Sequence, residues 1–407
     1  MPTPGPIGRA ITTLRDFRGG ITQEDLAERS GVHVDTIRKL EQGVRQSARI
    51  DTLRKLARAL DTELDRLLGH PTVTQHSPDD GGLLALRDAI QDVDTLPGVP
   101  AATLDEEPPA ADEWMANVRQ ATTLYWSGGY SDLSGALPLL LRQGRSVARD
   151  ASGSVTEQVW RRLALAYQLA ASLSTQAGHP DWAFAAVEKQ LAAAQRASDP
   201  LMEGMGVSTL SWILLRQGRW EQAQAVSVRK AEALEPSFSK STPKQYAVYG
   251  NLLVSAATPA ARRDRHDEAK HLLNLAESAA VRSGSVRVYG TAFSVPDVKT
   301  QQVNVALAGE EPRPGEALDL AAAVDLGAIT RPVHVASHRV DVAQAQYQTG
   351  DSDGALATLL EVEEVQPEWI RYQTLATATV REMLETERRR NTPLRGLASR
   401  LGIDPTL

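Results

Sequence analysis

Apolar positions along the 407-residue chain fall into two regimes with a break between them. In the first they recur at helical spacing in short bursts, each ended by a turn residue. Ile7, Ile11 and Leu14 mark a helix that stops at Gly19-Gly20. Thr22 is placed to cap a second helix, with Asp25 three residues on as its capping-box partner, and that helix runs to about Ser30. Gly31 supplies a turn, a third helix spans about Val34 to Gln42, and Gly43 ends it. Leu53, Leu56, Ala57 and Leu60 predict a fourth helix, and Leu64, Leu67 and Leu68 a fifth. The pattern then collapses over 71–112, where Pro, Gly and acidic residues dominate and only LLALRDAI suits a short helix. This reads as a mostly extended, flexible connection. Three regions follow: a 1–70 domain, a 71–112 linker and a 113–407 domain.

In the third region Ala/Leu-rich amphipathic runs alternate with a turn of the form Gly-x-x-x-x-Ala, seen in GHPDWA (178–183), GRWEQA (218–223) and GDSDGA (350–355). DRHDEA (264–269), GYSDLS (129–134) and GEEPRPGEA (309–317) are degenerate copies. The anchors at 129, 178, 218, 264, 309 and 350 predict helix–turn–helix units, with a last helix pair at about 367–388 and 392–402. One hairpin cannot bury its apolar face alone, so the units must stack.

Composition agrees with helices. Aromatics make up 5% of the chain while Ala and Leu are plentiful, and both lose little entropy in a helix. The fold class expected is therefore all-α. Without cysteine there is no disulfide framework and no thiolate metal site. The N-terminus lacks the pattern of a signal peptide, and LALAYQLAASL (163–173) is too short to span a bilayer, so a cytoplasmic protein with no membrane partner is expected. No phosphate loop, nucleophile elbow or acid/base pair stands out, so no enzyme activity and no cofactor are expected.

The net charge of −7 is unevenly placed: +2 over residues 1–70, −8 over 71–112 and −1 over the remainder. The global acidity thus says little about what the first domain binds. On a helical wheel, Ile37 and Leu40 of the third helix face one way, and Val34, Asp35, Arg38, Lys39 and Gln42 the other. The segment TQEDLAERSGVHVDTIRKLEQG, with Gln23, Ala27, Gly31, Ile37, Glu41 and Gly43 in order, resembles the helix-turn-helix of Xre / phage-repressor-like regulators.

That resemblance implies an operator in double-stranded DNA as partner. Thr22 and Gln23 would meet a phosphate or a base edge, and Val34, Asp35, Arg38 and Lys39 would enter the major groove. His33, Thr36 and Gln42 flank that face, and Arg45 and Arg49 are expected on phosphates. Asp35 has a second reading as a first-turn acid favoured by the helix dipole. His33 stands where the family usually carries a small hydroxyl residue, which implies a missing cap, and Glu41 is expected to pair with Arg15. The acidic linker is either a solvated spacer or a competitor for the basic helix.

The later turns resemble tetratricopeptide repeats, and the layout resembles actinobacterial regulators with a long repeat domain and the peptide-sensing repeat regulators of Gram-positive bacteria. By resemblance, the first helix of each pair lines a concave surface that takes a signalling peptide or small molecule, and the protein pairs as a homodimer. Candidate ligand contacts are Arg162, Tyr167, Gln168, Trp212, Tyr249, Asn251, Asp297, Gln301, His338 and Asp341, each of which would otherwise be a solvated or packing side chain. His334, His338 and Asp341 share a helix face at a spacing that suits a metal, yet contact with a ligand or a neighbouring helix fits better, and no metal is expected. The alternative function is a protein-interaction scaffold that the helix-turn-helix tethers to DNA.

Overall fold

The computed structural model describes residues 5–17, 20–45, 48, 50–60, 62, 67–68, 80–96, 98–99, 108–237, 240–386 and 391–404. It is nearly all helical, with a small N-terminal helical domain and a long stack of packed helical hairpins. In the first domain α1 (Pro6–Phe17), α2 (Gln23–Ser30), α3 (Val34–Glu41) and α4 (Ile50–Ala59) enclose Ile11, Leu26, Ile37, Leu40, Leu53 and Leu56. All of these but Leu26 are residues whose spacing predicts the helices. Leu67 and Leu68 are helical and buried in the same core, whereas Leu64 lies outside the described residues.

Within the linker, LLALRDAI is helical, as its spacing predicts. Residues Asp80–Ile90 form α5, which buries Leu83, Leu86, Ala89 and Ile90 in the core of the hairpin stack, and Val93–Thr95 add a 3-10 turn. Four apolar residues on one face outweigh the helix-breaking character of the flanking sequence. Asp92 pairs with Arg145, and Lys189 hydrogen-bonds Thr95, so this stretch of acid is anchored to the stack.

The stack runs α6 (Ala111–Ser127), α7 (Tyr130–Asp150), α8 (Thr156–Gln176), α9 (Pro180–Arg196), α10 (Pro200–Arg216), α11 (Trp220–Ala233), α12 (Pro243–Arg262), α13 (His266–Ser283), α14 (Val295–Ala306), α15 (Pro314–Ala322), α16 (Pro332–Gln348), α17 (Ser352–Val365), α18 (Thr374–Thr386) and α19 (Thr392–Arg400). Every predicted anchor is the turn between the two helices of a hairpin. Gly178, Gly218, Gly309 and Gly350 have φ of 80°, 74°, 89° and 94°, a conformation that L side chains avoid. The alanine that closes each motif (Ala183, Ala223, Ala269, Ala317 and Ala355) is fully buried in the second helix, where a larger side chain would hold the helices apart.

Two features lie outside the repeat pattern. Between α13 and α14, β1 (Val286–Val288) and β2 (Thr291–Phe293) form an antiparallel hairpin with Val288 opposite Thr291. Its two-residue loop, Tyr289-Gly290, has φ of 46° and 73°, the signs of a type I′ turn. These two short strands are an addition to a chain that is otherwise helical, as its composition and spacing predict. The stack also closes on itself: α16 packs against α6, Glu368 accepts from the Ser131 N–H at 2.9 Å, and Tyr372 lies 5.6 Å from Tyr130. The first helices of the hairpins thus surround a lumen.

The small domain sits at one end of that lumen. Ala378 of α18 packs into its core, and Arg58 of α4 pairs with Asp264 and, at 2.7 Å, with Glu310. Both acids belong to hairpin turns, α12–α13 and α14–α15 respectively.

Candidate nucleic-acid interface and lumen chambers

The α2–α3 unit is locked from within. Thr22 and Asp25 exchange side-chain and backbone hydrogen bonds in a full capping box, and Gly31 ends α2 at φ 66°. Arg15 Nε donates to Glu41 Oε1 at 2.8 Å, as the resemblance implied, and Arg15 also donates to the Ile21 carbonyl. Gln23 donates its amide to Glu41, so its side chain is engaged in the fold. His33 corrects the missing cap: its Nδ1 accepts from the Asp35 N–H at 3.2 Å, the contact a serine or threonine hydroxyl would make.

On the outer face of α3, Arg38 and Lys39 are about half exposed, at 45% and 51%. Lys39 pairs with Asp35 at 2.8 Å, and that hydrogen bond holds the Asp35 carboxyl below its ordinary range. Arg38 lies 3.8 Å from Glu24. Gln42 and Arg45 are exposed, while Val34 and Thr36 are half-buried at the start of the helix. Arg49 lies outside the described residues.

The lumen is divided in two by the β-hairpin. Its tip reaches α6 and α8: Trp126 Nε1 donates to the Gly290 carbonyl, and a Cβ on Gly290 would lie 2.7 Å from Leu165. Arg331 completes the partition. Its guanidinium lies 4.4 Å over the Trp126 ring, hydrogen-bonds Thr291 and the Ala292 carbonyl, and lies 3.5 Å from Asp297. Burial lowers the Arg331 pKa to about 10. Burial and the Arg331 charge push His334 to about 4, although its Nδ1 lies 3.4 Å from Asp297. The exposed third of His334 faces the lumen.

The chamber nearer the small domain has a volume of about 460 Å³. Gln168, Trp212, Asn251, Gln301 and Asp341 line it together, so half of the ten expected ligand contacts converge. Arg54 of α4 is also in its wall, and with Arg262 its charge acts on the Asp341 carboxyl. Arg162 lines the second chamber, and Tyr167 a separate outer pocket beside Arg145 and Asp92. Asp297 sits in the partition, bonded to Ser294 at 2.7 Å. His338 is buried and Tyr249 half-buried against the core, and neither lines any of these three cavities. His334 and Asp341 are drawn to different partners, Asp297 and Asn304. Trp126, Arg331 and Arg54 were not among the expected contacts. The Arg331-Pro332 pair at a helix start was the sequence signal for one of them, while the others become neighbours only through closure and docking.

No helix among the described residues is long and apolar enough to cross a membrane. Comparison with curated proteins gives no match. Residues 11–67 match the family model described as helix-turn-helix, which supports a DNA-binding transcriptional regulator with its DNA-binding domain at the N-terminus.

Proposed function

We propose that this regulator is ligand-responsive. Residues 1–70 bind the operator, 71–112 connect, and 113–407 sense a peptide or small molecule and pair two copies of the chain. The observation that carries this is Arg54: a side chain of the DNA-binding domain forms part of the wall of the sensor's chamber. A ligand that displaces or recruits Arg54 there shifts the equilibrium between docked and released DNA-binding domains by its differential affinity for the two. Asn251, Gln301 and Asn304 give the chamber donors and acceptors for a peptide backbone, and Trp212 gives it an apolar face.

On DNA, Val34, Asp35, Arg38 and Lys39 read the major groove. Gln42 and Arg45 meet phosphates, with Arg49 beside them in sequence. The N-terminus of α2, at Thr22 and Gln23, approaches the backbone, where the positive end of the helix suits a phosphate. A homodimer presents two such helices to a palindrome, since one short helix gives little affinity.

Genome-wide mapping of bound sites followed by footprinting tests this. Arg38→Ala with Lys39→Ala should abolish the specific footprint and leave helical content intact. An unchanged footprint would refute the interface. Light scattering of the full chain decides the pairing, and a monomer on operator DNA would refute it.

A further inference from the structure

The second chamber, beyond the β-hairpin and away from the DNA-binding domain, has a volume of about 800 Å³. Among the described residues its wall carries Arg119, Arg161, Arg162, Lys244, Arg287 and Arg331, and no Asp or Glu. Two of the six are committed: Arg161 to Asp199, and Arg331 to the partition and Asp297. For Arg119, Arg162, Lys244 and Arg287 no ion pair forms among the described residues. They come from four separate elements, α6, α8, α12 and β1, so the fold, and not one basic stretch of sequence, gathers them.

Arg162 is half-buried and Arg119, Lys244 and Arg287 are exposed around it, so like charges crowd one cavity with no carboxylate among its described lining residues. The strain registers at Arg162, whose pKa is lowered by burial and then by the charges of Arg119 and Arg161. An anion in the cavity would relieve that repulsion. Guanidinium forks suit oxyanions, which they grip with paired hydrogen bonds. The hydroxyls of Thr122, Thr123 and Ser127 donate to carbonyls of the preceding turn of α6, so the charged groups supply the donors to a ligand, and Trp126 and Tyr289 give an aromatic side.

We propose that this chamber is a binding site for a small-molecule oxyanion carrying two or more negative charges, separate from the chamber that Arg54 enters. Trp126 and Thr291 line both chambers, so an anion in one rests on the partition that bounds the other.

The test is a titration of the full chain with inorganic pyrophosphate, followed by calorimetry and melting temperature, with citrate and magnesium-free ATP as parallel arms. Pyrophosphate should bind and raise the melting temperature. Arg162→Ala with Lys244→Ala should weaken binding roughly tenfold or more for each cation removed. Arg38→Ala with Lys39→Ala should leave it unchanged, which separates this site from the DNA-reading helix. Tighter binding of ATP assigns a nucleotide-like ligand, and tighter binding of citrate a polycarboxylate. The proposal is overturned if none of the three anions binds, if the Arg162/Lys244 variant binds as wild type does, or if the Arg38/Lys39 variant loses binding. Failure here leaves the ligand response through Arg54 intact, because the first chamber has different walls.

Discussion

Arg58 of the DNA-binding domain pairs with Asp264, the residue that stands where other hairpin turns carry glycine. Asp264 holds φ at 57°, a left-handed conformation that costs a non-glycine residue about 1 kcal/mol or more. Its side chain has a use there. One oxygen accepts from the Glu310 N–H at 2.6 Å and the other meets Arg58. Two of the degenerate copies of the repeat, 264–269 and 309–317, are therefore the ones that meet Arg58 of the DNA-binding domain.

Asp264→Gly separates the two effects. Relief of backbone strain should keep the melting temperature of the hairpin stack constant or raise it slightly. Loss of the partly exposed ion pair, worth about 1 kcal/mol or less, should loosen α4. Hydrogen exchange would then be faster in α4 and unchanged in α10 and α11. Equal exchange in α4 would show that the Arg58–Asp264 pair does not hold the domain in place.

What could be read in advance follows from the range of the interactions. Each turn needs a left-handed residue and a small one at a fixed offset, so Gly178 and Ala183, or Gly350 and Ala355, announce a hairpin locally. The wheel of α3 is local too. The lumen is not: the Ser131–Glu368 hydrogen bond joins residues 237 apart. The β-hairpin has strands of three residues, too short for alternation to show, and Tyr-Gly in its loop is a weaker signal than Asn-Gly. The need for glycine at position 8 is non-local for a related reason. A Cβ there would lie 2.1 Å from the Leu40 carbonyl oxygen, so glycine is what lets α1 cross α3, but the crossing partner is 32 positions away.

The cap at His33 is testable by substitution. His33→Ala removes the acceptor for the Asp35 N–H and should cost about 1 kcal/mol in the unfolding of the small domain. His33→Ser should restore most of it, because the hydroxyl makes the same contact. Urea titrations of the full chain, followed by helical signal and by protection of α3 amides, measure both. If Ala and Ser behave alike, the imidazole is not acting as a cap.

Asp341 gives the docked arrangement a pH signature. Burial raises its pKa to about 7, against the Asn304 hydrogen bond and the charges of Arg262 and Arg54. An unfolded aspartate titrates near ~3.9. Between about pH 4 and 7 the folded chain keeps a proton that the unfolded chain has released, so this group makes stability fall as pH rises through that window and has no further effect above it. His334 and His338, both held near 4 chiefly by burial, act with the opposite sign, since the unfolded histidines gain protons first as pH falls below about 6.5. Wild-type stability alone would therefore blur the two. The difference between Asp341→Asn and wild type cancels the histidines. That difference should be small near pH 4, favour the variant increasingly up to pH 7, and level off at a few kcal/mol, with ~4 kcal/mol as the bound for a shift of about three units. Parallel stability curves would mean that Asp341 is not protonated in the fold. Arg54→Met should then extend the rise beyond pH 7, because it removes a charge that now holds the Asp341 pKa down. An unaltered profile in that variant would place Arg54 too far from the chamber to sense what binds there.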